Sequence, residues 1–202
     1  MDKSDKIGLL GGTFDPIHNG HIEMALYAQA HFQLDKIFFI TAKNPPFKSQ
    51  TVLLPANFRH RLAELAISNY PNFFASPVEL NREGVSYAYQ SVEYFKSQNP
   101  HAELFWIMGF DAYSNLDQWK NSDYIKSQVK FIVFSRGPKS PLLEDVFLVE
   151  NFANATSSTL VRQIIGDCGT NQITKKSLLK DLIPESIISI LLNQAPKPVI
   201  KH

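Results

Sequence analysis

His18 and His21 close the run Gly11-Gly12-Thr13-Phe14-Asp15-Pro16-Ile17-His18-Asn19-Gly20-His21, which follows a short apolar segment and precedes an amphipathic one. Residues three apart in the first turn of a helix share a face. Two imidazoles there would present donors to phosphate oxygens and could stabilise charge that builds up in phosphoryl chemistry. Gly11 and Gly12 lack a Cβ, so a phosphate or ribose can approach their backbone closely. Free N–H groups at the helix start favour an anion in the same place. A turn that only packs its glycines and caps a helix accounts for the same residues, and both readings stand at this point. No nearby cysteine or third histidine completes a zinc site, and the dinucleotide fingerprint G-x-G-x-x-G is absent.

A second cluster, Ser157-Ser158-Thr159 with Arg162 one turn on, reads as another helix start. Its backbone N–H groups can take an anion, or its first serine can be an ordinary N-cap.

The elements that must carry these residues are legible as alternating apolar runs. Lys6 to Leu10, Lys36 to Thr41, Phe73 to Leu80, Glu103 to Met108, Lys130 to Ser135 and Val146 to Val149 read as short strands. Between and after them, His21 to Phe32, Pro55 to Asn69, Ser86 to Ser97 with Ser86 as N-cap, Ser157 to Ile165 and Pro184 to Asn193 have the helical period. Strands separated by helices predict an α/β fold, a Rossmann-like doubly wound parallel sheet with helices on both faces. The first strand-to-helix turn then lies at the carboxyl ends of the strands, where open α/β sheets bind ligands. Residues 1–202 are expected to form one domain, with a helical carboxyl-terminal portion over about 157–195. Pro45-Pro46, Gly137-Pro138 and Pro141 mark loops within it.

Composition limits the function classes. A hydrophobic fraction of 44% with 15 Phe is ample for a packed core and excludes a disordered chain. Twenty Lys+Arg against 19 Asp+Glu leave a net charge of +1, so no nucleic-acid partner is expected. The lone Cys168 forms no internal disulfide, and the Lys175, Lys176 and Lys180 cluster reads as a solvated helix face. No apolar run approaches the roughly 18 residues that span a bilayer, and no signal segment is evident. No membrane partner and a cytoplasmic location are the expectations; assembly as a homo-oligomer is left open.

GGTFDPIHNGH closely resembles the signature of nucleotidyltransferases with the H-x-G-H motif, and among them that of bacterial nicotinate-nucleotide adenylyltransferases. The resemblance continues in order along most of the chain. Asn44-Pro45-Pro46-Phe47-Lys48 resembles the family's P-P-H-K loop, and Arg61 stands where it has an arginine opening a helix. Gly84 to Tyr87 resembles its G-x-S-Y segment, and Gly109-Phe110-Asp111 with Leu116 and Trp119 its G-x-D…L-x-x-W pattern. Ser135-Arg136-Gly137-Pro138 lies at its Arg-Pro-Gly loop, and Ser157-Ser158-Thr159 with Arg162 matches its S-S-T-x-x-R helix start. The chain departs at Phe47 for a usual His, at Ala88 for a usual Thr near the substrate base, and at Thr156 for a common Ile. Its tail keeps the Pro184-led helix and lacks the usual closing residues.

The resemblance implies transfer of the adenylyl group of ATP to nicotinate mononucleotide, giving deamido-NAD and pyrophosphate, with Mg²⁺ arriving on ATP and no metal-site motif. It implies His18 and His21 as catalytic, with His21 the one at the transition state. The ATP site would comprise Gly11, Gly12, Thr13, Phe14, His18, His21, Arg136, Ser157, Ser158, Thr159 and Arg162. Lys48, Tyr87, Asp111 and Trp119 would face the mononucleotide: Trp119 can stack on a pyridine ring, and Asp111 can accept from a ribose hydroxyl. Plain alternatives stand beside some of these, Trp119 and Tyr87 as core residues and Lys48 and Arg136 as solvated loop cations. Ala88 and Phe47 raise the alternative of the same chemistry on nicotinamide mononucleotide or another phosphate monoester. A nucleotide-binding module without catalysis is the rival from another class.

Overall fold

The structure is a computed structural model, which describes residues 4–47, 52–137, 145–153 and 156–194. Lys48, Pro138, Pro141 and the chain from 195 onward lie outside the described residues. In chain order the elements are β1 (Lys6–Gly12), α1 (Asn19–Phe32), β2 (Lys36–Thr41), α2 (Ala56–Ile67), β3 (Phe73–Ser76), α3 (Ala88–Gln98), β4 (Glu103–Gly109) and α4 (Phe110–Tyr113). A 3₁₀ turn (Leu116–Gln118), α5 (Ser122–Gln128), β5 (Lys130–Phe134), β6 (Val146–Val149), α6 (Ser158–Gly166), α7 (Gln172–Leu179) and α8 (Glu185–Gln194) follow.

The strands form one sheet in the order β3-β2-β1-β4-β5-β6, and every pairing is parallel. This is the doubly wound α/β architecture predicted from the alternation of apolar runs. Side chains alternate across it with a period of two. Leu10, Ile37, Phe39, Phe105, Ile107, Ile132 and Phe134 face a core shared with α1, α2 and the carboxyl-terminal helices. Ile7, Leu9, Ile40, Leu104, Trp106, Met108, Phe131 and Val133 face the core shared with α3 and α5. Burial on both faces explains why the strands read as nearly continuous apolar runs.

From β1 the chain winds outward through β2 and β3; from β4 it winds the other way through β5 and β6. The order therefore reverses between β1 and β4, and a crevice opens there at the carboxyl ends of the strands. Gly12 ends β1 and Gly109 ends β4, so the loops that follow them flank this crevice.

Several boundaries differ from the sequence reading, each for a local reason. The strand expected to Leu80 stops at Ser76, because Pro77 has no N–H for the ladder and the next residues turn, Asn81 N–H donating to Pro77 O at 3.1 Å. Helix α1 begins at Asn19 rather than His21, with His18 as its N-cap. Tyr87, not Ser86, occupies the N-cap position of α3. The Ser86 hydroxyl accepts instead from the Asn44 N–H at 3.1 Å. Helix α7 carries Lys175 and Lys176, with Asn171 as a side-chain N-cap accepting from Thr174 N–H at 2.9 Å. Lys175 is not merely solvated: its ammonium donates to Ile165 O at 2.7 Å and ties α7 to α6. No described helix is long and apolar enough to cross a membrane.

Candidate active site

The turn after β1 is built around two rings. A Cβ on Gly12 would lie 2.6 Å from the Phe14 ring, and one on Gly11 would lie 2.8 Å from the Trp106 ring. The missing side chains thus make room for the protein's own aromatics, a packing reason for both glycines that needs no ligand. Phe14 itself sits at φ 48°, in the left-handed region that non-glycine residues seldom adopt. That conformation turns its ring into the core, where it packs on Phe39 and meets the His21 imidazole edge to face at 5.0 Å.

His18 and His21 lie one over the other, ring centroids 3.7 Å apart and tilted by 32°. The main-chain N–H of His18 donates to Nδ1 of His21 at 3.2 Å. Nδ1 is therefore the acceptor nitrogen, and in the neutral ring the proton sits on Nε2. His18 is buried, and burial, assisted by the positive charge of Arg136, pushes its pKa down to about 4. It is a neutral imidazole at physiological pH. Its buried Nδ1 finds no hydrogen-bond partner among the described residues.

Helix α6 is fastened to this loop. Ser157 caps it, its hydroxyl accepting from the Leu160 N–H at 3.2 Å. Ser158 Oγ donates to Pro16 O at 2.9 Å, and Arg162 Nη1 donates to Asp15 O at 2.7 Å. Thr159, on the exposed side, accepts from Arg162 Nη2 at 3.2 Å. The Ser157–Arg162 turn thereby lies against the Asp15–Pro16 segment, although the two are more than 140 residues apart in sequence. Arg136 is exposed just beyond β5, close enough for its charge to act on His18.

The opposite wall comes from the loops after β2 and β3. Asn44 O accepts from Ser86 N–H at 3.0 Å while Asn44 N–H donates to Ser86 Oγ, and Asn44 Nδ2 donates to Gly84 O at 2.8 Å. This stitches the Asn44-Pro45-Pro46 loop to the segment that ends in Tyr87. The Tyr87 ring is half-buried and carries the Lys120 ammonium 4.6 Å above its centre. Trp119 meets Trp106 edge to face at 6.1 Å. Asp111 is exposed in the first turn of α4, its main-chain oxygen accepting from Asn115 Nδ2 at 2.8 Å. Tyr87 and Trp119 thus stand on the α3–α5 side of the sheet; the histidines and α6 stand across the β1 lip from them.

Three residues that hold this arrangement were not singled out from sequence. Asp15, buried, accepts from the Leu53 and Leu54 N–H groups at 2.9 Å each, with Arg162 Nη1 3.7 Å from one carboxylate oxygen. Arg59, 1% exposed, donates to Leu54 O at 2.9 Å, Ala42 O at 2.8 Å, Lys43 O at 3.2 Å and also to Thr13 O. It ties the loops after β1 and β2 to the start of α2. Arg61, the arginine matched by the family resemblance, is exposed. Trp106 fills the space beside Gly11 with its indole N–H buried and without a partner among the described residues. Arg59 and Arg61 lie two positions apart on α2, so which of them turns inward was not readable from the motif alone.

Serine hydroxyls and backbone N–H groups can donate to phosphate oxygens, and a neutral imidazole can do so through its one N–H. Among the described residues no three His, Cys, Asp or Glu side chains are grouped to hold a metal ion. Both carboxylate oxygens of Asp15 are already engaged by backbone N–H groups.

Comparisons with known proteins bear on the family and the fold. The family model for cytidylyltransferase-like proteins matches residues 9–164. The chain is 33% identical over 199 residues to the probable nicotinate-nucleotide adenylyltransferase of Clostridium tetani, covering 92% of this chain and 96% of that protein. It is 34% identical, with the same coverage, to the corresponding protein of Clostridium acetobutylicum. Its fold resembles that of the Plasmodium falciparum nicotinic acid mononucleotide adenylyltransferase complexed with NaAD, at a TM-score of 0.73 and 18% identity over 95% of this chain and 98% of that one. The chain belongs to the cytidylyltransferase-like family and, within it, to the nicotinate-nucleotide adenylyltransferases.

Proposed function

We propose that the protein transfers the adenylyl group of ATP to nicotinate mononucleotide, releasing pyrophosphate and forming deamido-NAD. The observation that carries this reading is the fastening of the Ser157–Arg162 helix start to the loop that presents His18 and His21. It brings an anion-binding helix end and two stacked imidazoles to the reversal point of a parallel sheet.

The acceptor phosphate supplies the nucleophile. With a second pKa near ~6 it is already largely a dianion at neutral pH, so no activated serine or cysteine is required. One of its oxygens bonds to the α-phosphorus as the bridge to the β-phosphate breaks, and pyrophosphate leaves with that electron pair. The chain's task is to bring two polyanions together in line and to stabilise the charge that spreads over the phosphoryl oxygens. His21 directs its Nε2–H to those oxygens. Neutral His18, Ser157, Ser158, Thr159, Arg162 and Arg136 bind the triphosphate, and Gly11 to Phe14 form the floor beneath it.

Asp111, Tyr87 and Trp119 form the mononucleotide side, with Lys48 as a further phosphate contact. Mg²⁺ enters with ATP, held by phosphate oxygens and water. The need for ATP supports a cytoplasmic location for the reaction. Release of pyrophosphate from ATP and Mg²⁺ on adding nicotinate mononucleotide tests the reading; ATP binding without turnover on any mononucleotide would refute it in favour of a non-catalytic module.

A further inference from the structure

Glu79 is a buried acid to which the reaction gives no role. It lies in the turn that Pro77 opens after β3 and is 6% exposed. Ser91 Oγ, fully buried on α3, donates to its Oε1 at 2.8 Å. Burial pushes the Glu79 pKa up, while the Ser91 and Ser86 hydroxyls and the Arg82 charge oppose the rise. An acid so placed is unfavourable unless its oxygens are supplied with donors.

Those donors arrive from two sides, and the direction of each hydrogen bond is fixed. Arg82 Nη1 donates to Ser91 Oγ at 3.4 Å; a guanidinium cannot accept, so the Ser91 proton goes to Glu79. Ser86 Oγ accepts from the Asn44 N–H at 3.1 Å, which leaves the Ser86 proton for the same carboxyl group. A carboxylate only accepts, so it answers both serines at once. Arg82 binds the surrounding segments further. Its Nη2 donates to Gln90 O at 2.8 Å, and its own main-chain oxygen accepts from Lys43 Nζ at 2.9 Å. The loops after β2 and β3 and the first turn of α3 are thus joined around one acid, and Tyr87 stands between its two serines in the chain.

We propose that Glu79 is a positioning residue for the acceptor mononucleotide: its carboxylate holds Ser86 and Ser91 on either side of Tyr87 and so fixes the pose of that ring. This role rests on the adenylyl-transfer reading above. Glu79 acts through Ser86 and Tyr87 and takes no part in the chemistry. The Tyr87 ring carries the Lys120 ammonium 4.6 Å above its centre, so a shift of the ring also moves a cation on the side where the anionic acceptor enters. The histidine loop is held separately, by the Ser158 and Arg162 bonds from α6. Loosening the Glu79 network therefore acts on the acceptor and spares ATP.

The test is steady-state kinetics with nicotinate mononucleotide and ATP varied in turn. Glu79→Gln keeps the size of the side chain but offers one acceptor and one NH₂, so one serine loses its partner. It should lower kcat/KM for the mononucleotide by about 10-fold, the scale of a lost hydrogen bond to a charged group, while KM for ATP stays within about 2-fold. Ser86→Ala breaks the link to Tyr87 and should give a loss of the same kind. The double variant should be little worse than the poorer single one, because both changes break one chain of bonds. Losses that multiply in the double variant, a KM for ATP that rises in step, or an unchanged value for the mononucleotide would overturn the proposal. If Glu79→Gln does not fold, Ser91→Ala removes the other arm without touching Asn44 and must show the same split; an unchanged mononucleotide value there overturns it too. Wild-type turnover with nicotinate mononucleotide scores the underlying reaction separately, so the two claims fail independently.

Discussion

The backbone N–H of His18 holds Nδ1 of His21 at 3.2 Å, so the residue that caps α1 also fixes which nitrogen of its neighbour carries the proton. The contact comes from the main chain, and it survives any change of the His18 side chain. The two histidines should therefore separate in mutagenesis. His21→Ala removes the Nε2–H donor and should lower kcat by about 10²-fold or more, with a smaller change in KM for ATP. His18→Ala leaves His21 oriented and should act mainly on KM for ATP. Steady-state kinetics on both variants check this; an effect of His21→Ala confined to KM would make it a ground-state binder.

His18 makes stability depend on pH. Its ordinary pKa of 6.5 falls to about 4 in the folded protein, because burial disfavours the charged ring. Between those values the unfolded chain holds a proton that the folded one does not, so stability rises with pH across the window and is lost as the pH falls. From pH 7 to pH 4 the wild type should lose about 3 kcal/mol more than His18→Gln, a figure that follows from the size of the shift. Urea denaturation at a series of pH values measures the difference. Parallel profiles for the two proteins would show that His18 does not titrate this way.

Arg59 is the buried tie between the loops of the site. Arg59→Leu would leave the carbonyls of Leu54, Thr13, Ala42 and Lys43 without its donors and should destabilise the protein by about 3–5 kcal/mol. Arg59→Lys keeps the charge but cannot fork to the same acceptors, and should recover only part of the loss. Arg61→Ala, on the exposed side of the same helix, should stay within about 0.5 kcal/mol of the wild type. Thermal and chemical denaturation of the three variants read this directly.

Trp119 stands beside Trp106 on the acceptor side and away from the α6 contacts. Trp119→Ala should raise KM for the mononucleotide by about 10-fold, of the order expected for one lost stacking interaction, with less effect on ATP. Equal changes for both substrates would make Trp119 a packing residue only.

The alternation of apolar runs revealed the strands because a parallel sheet buried on both faces leaves little else to encode. Pro77 shortened one of them, and its missing N–H was visible all along. The Gly11–His21 run was equally plain, since its chemistry is local. Asp15 lay inside that run and was passed over. Its partners, Leu53 and Leu54, are 38 and 39 residues away, and nothing in the spacing reports a contact of that range. Arg59 was hidden for a similar reason: two arginines sit two positions apart on one helix, and only tertiary packing decides which turns inward. Trp106 read as one more aromatic in a strand, because an unpaired N–H is a property of the surroundings and not of the residue.

The most direct measurement of the central claim is pyrophosphate release from ATP and Mg²⁺ with nicotinate mononucleotide, nicotinamide mononucleotide and phosphopantetheine offered side by side. Rapid release with the nicotinate form, well ahead of the other two, is the result expected from this site. Preference for another acceptor, or silence with all three from a folded protein that still binds ATP, would contradict it.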